Sequence, residues 1–237
     1  MKKKNAFTML ELILVIIVMG IIAANAIPRL KRDTRIEAIN HMLTMIRYTQ
    51  NLALHDSKHS IDNPNWQRSF WKFRIYHCDN NTTTFYTIGT DSNLDGQMVG
   101  PETVIDPSNG KHMYWSAGTA CPKGNSYEIG MGNNRVKVSK NIFITQEYGI
   151  KDVKFNACGI MQDITSKTKT NKAKYIGFDN FGRPIKGNEA VTNPTYYGHT
   201  RSDCKITFFF EDNSIKPFKI IIPPESGYAY LEENPNL

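Results

Sequence analysis

The sequence predicts an α+β protein in which a long N-terminal helix, membrane-spanning in its first half, packs against a C-terminal antiparallel β-sheet domain. Three observations predict it. Residues 7–28, FTMLELILVIIVMGIIAANAIP, are apolar apart from Glu11 and carry no other charge until Arg29. A helical period then continues, with Ile36, Ile39, Leu43, Ile46 and Ala53 on one face and Arg35, Glu37, Asn40, Thr44, Arg47 and Asn51 on the others. After Ser57 that period stops at KHSIDNPNW, and runs of β-branched and aromatic residues alternate with turn formers.

Taken in order, the apolar segment admits two readings. As a helix it reaches about 33 Å, close to the ~30 Å of bilayer hydrocarbon. As a cleaved secretion signal it offers basic Lys2–Lys4, an apolar core, and the small-x-small pattern Ala24-Asn25-Ala26. Glu11 weakens the second reading, and so do Pro28 beside the supposed cut and the helical pattern that runs on to about residue 57. Pro28 then reads as a kink within one helix. Basic residues flank both ends, so charge does not orient the segment, whereas the cysteines and the large polar remainder favour a cytoplasmic N-terminus. Strands are expected at 70–77, 84–90, 135–138, 141–148, 174–179, 205–211 and 215–223, the last two forming a hairpin through Asp212-Asn213-Ser214.

The chain has 237 residues, room for one substantial domain and an appendage. Its Lys and Arg number 29 against 22 acids, a net charge of +7, and Lys2–Lys4 supply three of these charges. Without those three the balance is 7 − 3 = +4, which is unremarkable. The four cysteines, Cys78, Cys121, Cys158 and Cys204, all follow the apolar segment and imply two disulfides in an oxidising compartment, with three connectivities open. Two cysteines lie mid-chain and two in the C-terminal half, which predicts pairing within each half.

Several constellations bear on chemistry. DSNLDGQMVGPE, residues 91–102, has calcium-loop spacing: side-chain oxygens from Asp91, Asn93 and Asp95, a turn at Gly96, the Gln97 carbonyl and a bidentate Glu102. Pro101 and the preceding β-like segment exclude a helix–loop–helix setting, and an Asx-rich turn is the competing reading. His55 and His59 have zinc-compatible spacing but no third ligand nearby. GMGNNR, residues 130–135, lacks the third glycine of a dinucleotide loop and reads as a turn. Lys167, Lys169, Lys172 and Lys174 beside Tyr175 and Phe178 suggest a nucleic-acid backbone as ligand, against the commoner solvated loop. Asn81 lies in a glycosylation sequon whose Asp79 gives it the extended acidic form. No nucleophile stands with a base, so an enzyme is not expected.

The stretch KKKNA followed by FTMLELILVIIVMGIIAANAIP resembles the N-terminal signature of type IV pilins and pseudopilins. The resemblance implies cleavage by a prepilin peptidase between Ala6 and Phe7, N-methylation of Phe7, and an assembly role for Glu11, fifth in the mature chain. Pro28 resembles the family's helix-kinking proline, and Ala6 departs from its usual glycine. The order of parts is similar to that of H-type minor pseudopilins. The implied organisation is a leader at 1–6, a transmembrane half-helix at 7–28, an amphipathic half at 29–58 and a periplasmic β-rich domain at 59–237. The implied function is a structural subunit, of minor-component size, in a periplasmic fibre of type II secretion or of a type IV pilus or DNA-uptake (competence) machine. Implied partners are other pilin subunits, the peptidase, an inner-membrane assembly platform and membrane lipid; the implied location is a single pass through a bacterial inner membrane with the C-terminal domain in the periplasm. The rival reading is a secreted calcium-binding β-domain with a cleaved signal peptide.

Overall fold

The computed structural model describes residues 9–63, 66–78, 83–95, 98–116, 119–124, 126–158, 160–163, 172–185 and 198–232, the side chains of 23–33, 160–163 and 172–173 excepted. Helix α1 (Met9–His55) leads into strands β1 (Trp71–His77) and β2 (Thr84–Gly89). After a long connection come β3 (Glu128–Met131), β4 (Asn134–Lys137), the short helix α2 (Ile144–Tyr148) and β5 (Ile150–Asn156). The chain continues through β6 (Ile160–Asp163), β7 (Lys172–Phe178), β8 (Pro184–Ile185), β9 (Cys204–Phe210), β10 (Phe218–Ile222) and β11 (Tyr230–Leu231). These strands form three sheets: five strands in the order β2-β1-β7-β6 with β8 also on β7, four in the order β11-β10-β9-β5, and the β3-β4 hairpin.

The expected fold class is corrected by this architecture. The protein is mostly β, in three sheets rather than one sheet domain behind a membrane-spanning helix, and among the described residues no helix is long and apolar enough to cross a membrane. The apolar part of α1 whose side chains are described, Met9–Ile22, is 14 residues long. The transmembrane half-helix, the single-pass location in an inner membrane and the lipid contact they implied are therefore withdrawn. Phe7, Thr8 and the side chains of residues 23–28, which the expected span also counted, lie outside the described residues.

The second half of α1 is anchored in the globular part by one buried stripe. Ala38, Met42, Ile46, Thr49 and Ala53 recur at spacings of three and four and are all within 2 % of full burial. The four apolar ones join one core with Phe73 and Ile75 of β1, Ile176 and Phe178 of β7, and Ile206, Phe208, Phe218 and Ile220 of β9 and β10. Polar anchors fix the helix along its length. Gln50 Nε2 donates to the carbonyls of Gly182 and Ser226, each at 2.9 Å, and Arg47 Nε donates to the Ala229 carbonyl at 2.9 Å.

Strand expectations with strict alternation match the structure closely. Strand β9 buries every second residue, from Cys204 to Phe210, and pairs antiparallel with β10 in the register Phe218↔Phe208. The expected strand at 141–148 is corrected. A 3₁₀ turn at Lys140–Ile142, capped by the Ser139 hydroxyl, leads into α2, which ends at Gly149 with φ 66°. Ile142, Phe143 and Ile144 are fully buried as consecutive residues, which in the sequence looks like a β run.

Disulfides join Cys78 to Cys121 and Cys158 to Cys204, with Cα separations of 5.3 and 5.0 Å. The pairing is the one expected within each half.

Candidate functional site

The first turns of α1 present an apolar surface on every side. Each large apolar side chain from Met9 to Ile22 keeps between 40 and 84 % of its area exposed. A helix that is apolar all round needs neighbours to cover it, and among the described residues this chain supplies none. Glu11 lies in the first turn of that cylinder. Ala6 and Phe7 lie outside the described residues, as do the Pro28 side chain and Asn81.

The 91–102 loop is built differently from a calcium site. Glu102 Oε1 accepts hydrogen bonds from Ser92 N at 2.8 Å, Ser92 Oγ at 2.9 Å and Asn93 N at 3.2 Å, while Oε2 accepts from Val99 N at 3.0 Å. Asn93 Oδ1 accepts from Asp95 N at 3.0 Å. Both carboxylate oxygens of Glu102 thus face N–H and O–H donors, the opposite polarity to a cation, and the expected bidentate ligand set does not fit. Gly96 and Gln97 lie outside the described residues, and among those described no group of three metal-ligating side chains gathers.

A lysine supplies positive charge beside this loop. Lys72 of β1 is 1 % exposed, and its Nζ donates to the Arg68 carbonyl at 2.6 Å. Burial pulls its pKa down to about 7, helped by Arg74 and Arg68, while the charges of Asp91 and Glu102 act the other way. The site exists because both neighbouring strands place glycine beside Lys72, Gly89 on β2 and Gly177 on β7. A Cβ at Gly89 would lie 2.4 Å from the Glu102 carbonyl oxygen, so the returning 98–103 segment can cross there only over glycine.

A second buried polar cluster was not foreseen. His41 of α1 stacks on Tyr148 of α2, ring centroids 4.8 Å apart, and its Nε2 lies 2.8 Å from the Tyr86 hydroxyl of β2. Burial pulls the His41 pKa down to about 4, against the charge of Asp106 and a hydrogen bond to the Asn141 backbone. Burial also raises the Tyr86 phenol well above its usual value. Asp106 accepts from Ser108 N and Oγ, from Ser139 Oγ at 2.6 Å and from the Asn109 and Asn141 amides. Burial pushes its carboxyl up, but those hydrogen bonds outweigh it and hold the group below the ordinary carboxylate range. The local signal for Asp106 was DPSNG, an Asx turn closed by Gly110 at φ 70°. No local signal linked it to His41.

Tyr175 and Phe178 are buried and cannot stack on bases, and Lys174 Nζ donates to the Val153 carbonyl at 2.7 Å; Lys167 and Lys169 lie outside the described residues. His55 and His59 are exposed at the end of α1, with His59 edge-on to Trp66 at 4.9 Å. Residues 130–135 form the β3-β4 turn. No protein family, curated protein or solved structure matches this chain.

Proposed function

We propose that the protein is a pilin-like structural subunit that joins an extracytoplasmic fibre through its N-terminal helix. The observation that carries this reading is the exposed apolar cylinder Met9–Ile22 with Glu11 in its first turn, held out from a globular body that grips only the later part of the same helix. The resemblance of residues 2–28 to the prepilin signature supports it, and so do two disulfides, which suit an oxidising compartment.

Assembly is then a docking of apolar helices in which Glu11 sets the register. Cleavage before Phe7 creates an amine, charged at neutral pH with a reference pKa of about 7.7 to 8.0. Between packed helices a lone carboxylate and a lone ammonium are each costly, and one axial offset lets Glu11 of one subunit meet the Phe7 amine of the next. Removing one partner of such a pair costs about 3–5 kcal/mol, two orders of magnitude or more in association.

Mass analysis of the mature N-terminus tests the reading. Methylated Phe7 is expected, whereas a chain beginning at Ile27 would establish the secreted-domain alternative. Glu11→Ala should leave processing intact and abolish inter-subunit crosslinks, while Glu11→Asp, one methylene shorter, retains part of them.

A further inference from the structure

The geometry points to an intramolecular amide bond between Lys72 Nζ and the side-chain carboxyl of Asp91, a covalent crosslink from β1 to the segment that follows β2. It does not depend on the fibre reading. Three facts place the two groups together. Lys72 pairs with Gly89, the last residue of β2, so no side chain stands at the paired position and the chain passes on to Asp91 two residues later. Lys72 Nζ is held on the Arg68 carbonyl at 2.6 Å, and the next carbonyl along, that of Ser69, accepts the Thr90 hydroxyl, which brings the ammonium to the level of residues 90–91. Glu102 clamps the acceptor from both sides: its backbone carbonyl accepts Thr90 N at 3.0 Å and its carboxylate accepts Ser92 N at 2.8 Å.

The surroundings favour the reaction. Lys72 and Asp91 are 1 % and 0 % exposed, so neither charge is hydrated, and proton transfer from ammonium to carboxylate leaves a neutral amine beside a neutral acid. Nζ then attacks Cγ, the bond from Cγ to its hydroxyl oxygen breaks, and that oxygen departs as water with a proton from the nitrogen. No oxidant, reductant or co-reactant is needed. Two groups fixed in place react with the high effective concentration of an intramolecular pair, and a site that excludes water opposes the reverse hydrolysis. The amide N–H that remains can still donate to the Arg68 carbonyl. Glu102 acts as a positioning residue, through the peptide groups on either side of Asp91.

Mass spectrometry of the purified full chain, reduced, alkylated and denatured, decides the matter. The expected result is a mass lower than the sequence requires by one water, no tryptic cleavage after Lys72, and a branched peptide joining the Lys72 and Asp91 segments. Lys72→Arg should restore the full mass, and Glu102→Gln should lower the fraction crosslinked. A linear peptide ending at Lys72 with no branched species overturns the proposal. So does a water loss that persists in Lys72→Arg, which marks a cyclic imide at Asp91. The wild-type digest alone suffices if a variant fails to fold. The digest outcomes do not depend on how the N-terminus is processed, and the intact mass is compared with that of Lys72→Arg.

Discussion

His41 sits where the anchored half of α1 meets β2 and α2, and its chemistry sets a pH limit on that junction. A neutral imidazole satisfies its surroundings, one ring nitrogen donating to the Asn141 carbonyl and Nε2 accepting from the Tyr86 hydroxyl. Protonation would force a second donor against that hydroxyl in a buried site. The folded-state pKa of about 4 lies below the reference value of 6.5, so between those limits the unfolded chain binds more protons. Stability therefore falls as pH drops from 6.5 towards 4, by at most about 1.4 kcal/mol per pH unit. Half-buried His77, lowered for the same chief reason, adds to the slope. His41→Gln keeps a donor and an acceptor but cannot titrate, so thermal melts of this variant should show a shallower decline over that window. Below about pH 4 the Asp106 contribution is lost in both proteins, because its lowered carboxyl is stabilising only while ionised. An unchanged slope in the variant would remove His41 from this role.

At the scale of elements, what was legible in the sequence follows from how local each signal is. The buried stripe of α1 is read in part within a few turns of one helix: Ile39, Ile46 and Ala53 are buried as expected, but Ile36 is 46 % exposed and Ala38, Met42 and Thr49 complete the stripe instead. Strands β1, β2 and β9 are read from runs and alternation within single strands. Four short strands, β3, β6, β8 and β11, carry too few residues to show a period, and α2 hides in a β-like run because five residues cannot display a helical face. The His41–Tyr86 contact spans 45 positions and leaves no trace in either neighbourhood. The 91–102 segment has calcium-loop spacing, and in the structure its Glu102 carboxylate accepts from amides within the loop. Its Glu102 closes the loop on backbone amides, so melting temperatures in calcium and in chelator should coincide, and a rise in calcium would restore the metal reading. The anchoring stripe makes a separate prediction. Ile46 is fully buried between helix and sheets, and Ile46→Ala should cost about 2–5 kcal/mol in urea unfolding.

The whole molecule joins an exposed apolar helix start to a body whose two larger sheets share one core, and the disulfides tie that body's connections together. Cys158 stands between β5 of the four-stranded sheet and β6 of the five-stranded sheet, and its partner Cys204 opens β9, so this bridge ties the crossover between sheets to the strand beside β5. Cys78 closes β1 and is joined to Cys121, ahead of the β3-β4 hairpin, pinning the long connection between β2 and β3. The bridged residues are 43 and 46 positions apart. Loops of that size should each contribute about 4 kcal/mol by restricting the unfolded chain, within a usual range of ~2–5 kcal/mol. Replacing Cys158 and Cys204 together by Ser should therefore lower the urea midpoint. It should also raise the m-value, because the uncrosslinked chain exposes more surface when it unfolds. A lower midpoint with an unchanged m-value would place the effect in lost native packing around these two nearly buried sulfurs, and an unchanged midpoint would mean that the shared core holds the crossover without the bridge. Peptide mapping without reductant should find the two pairings seen here, and a crosslink between Cys121 and Cys158 would contradict this account of how the sheets are joined.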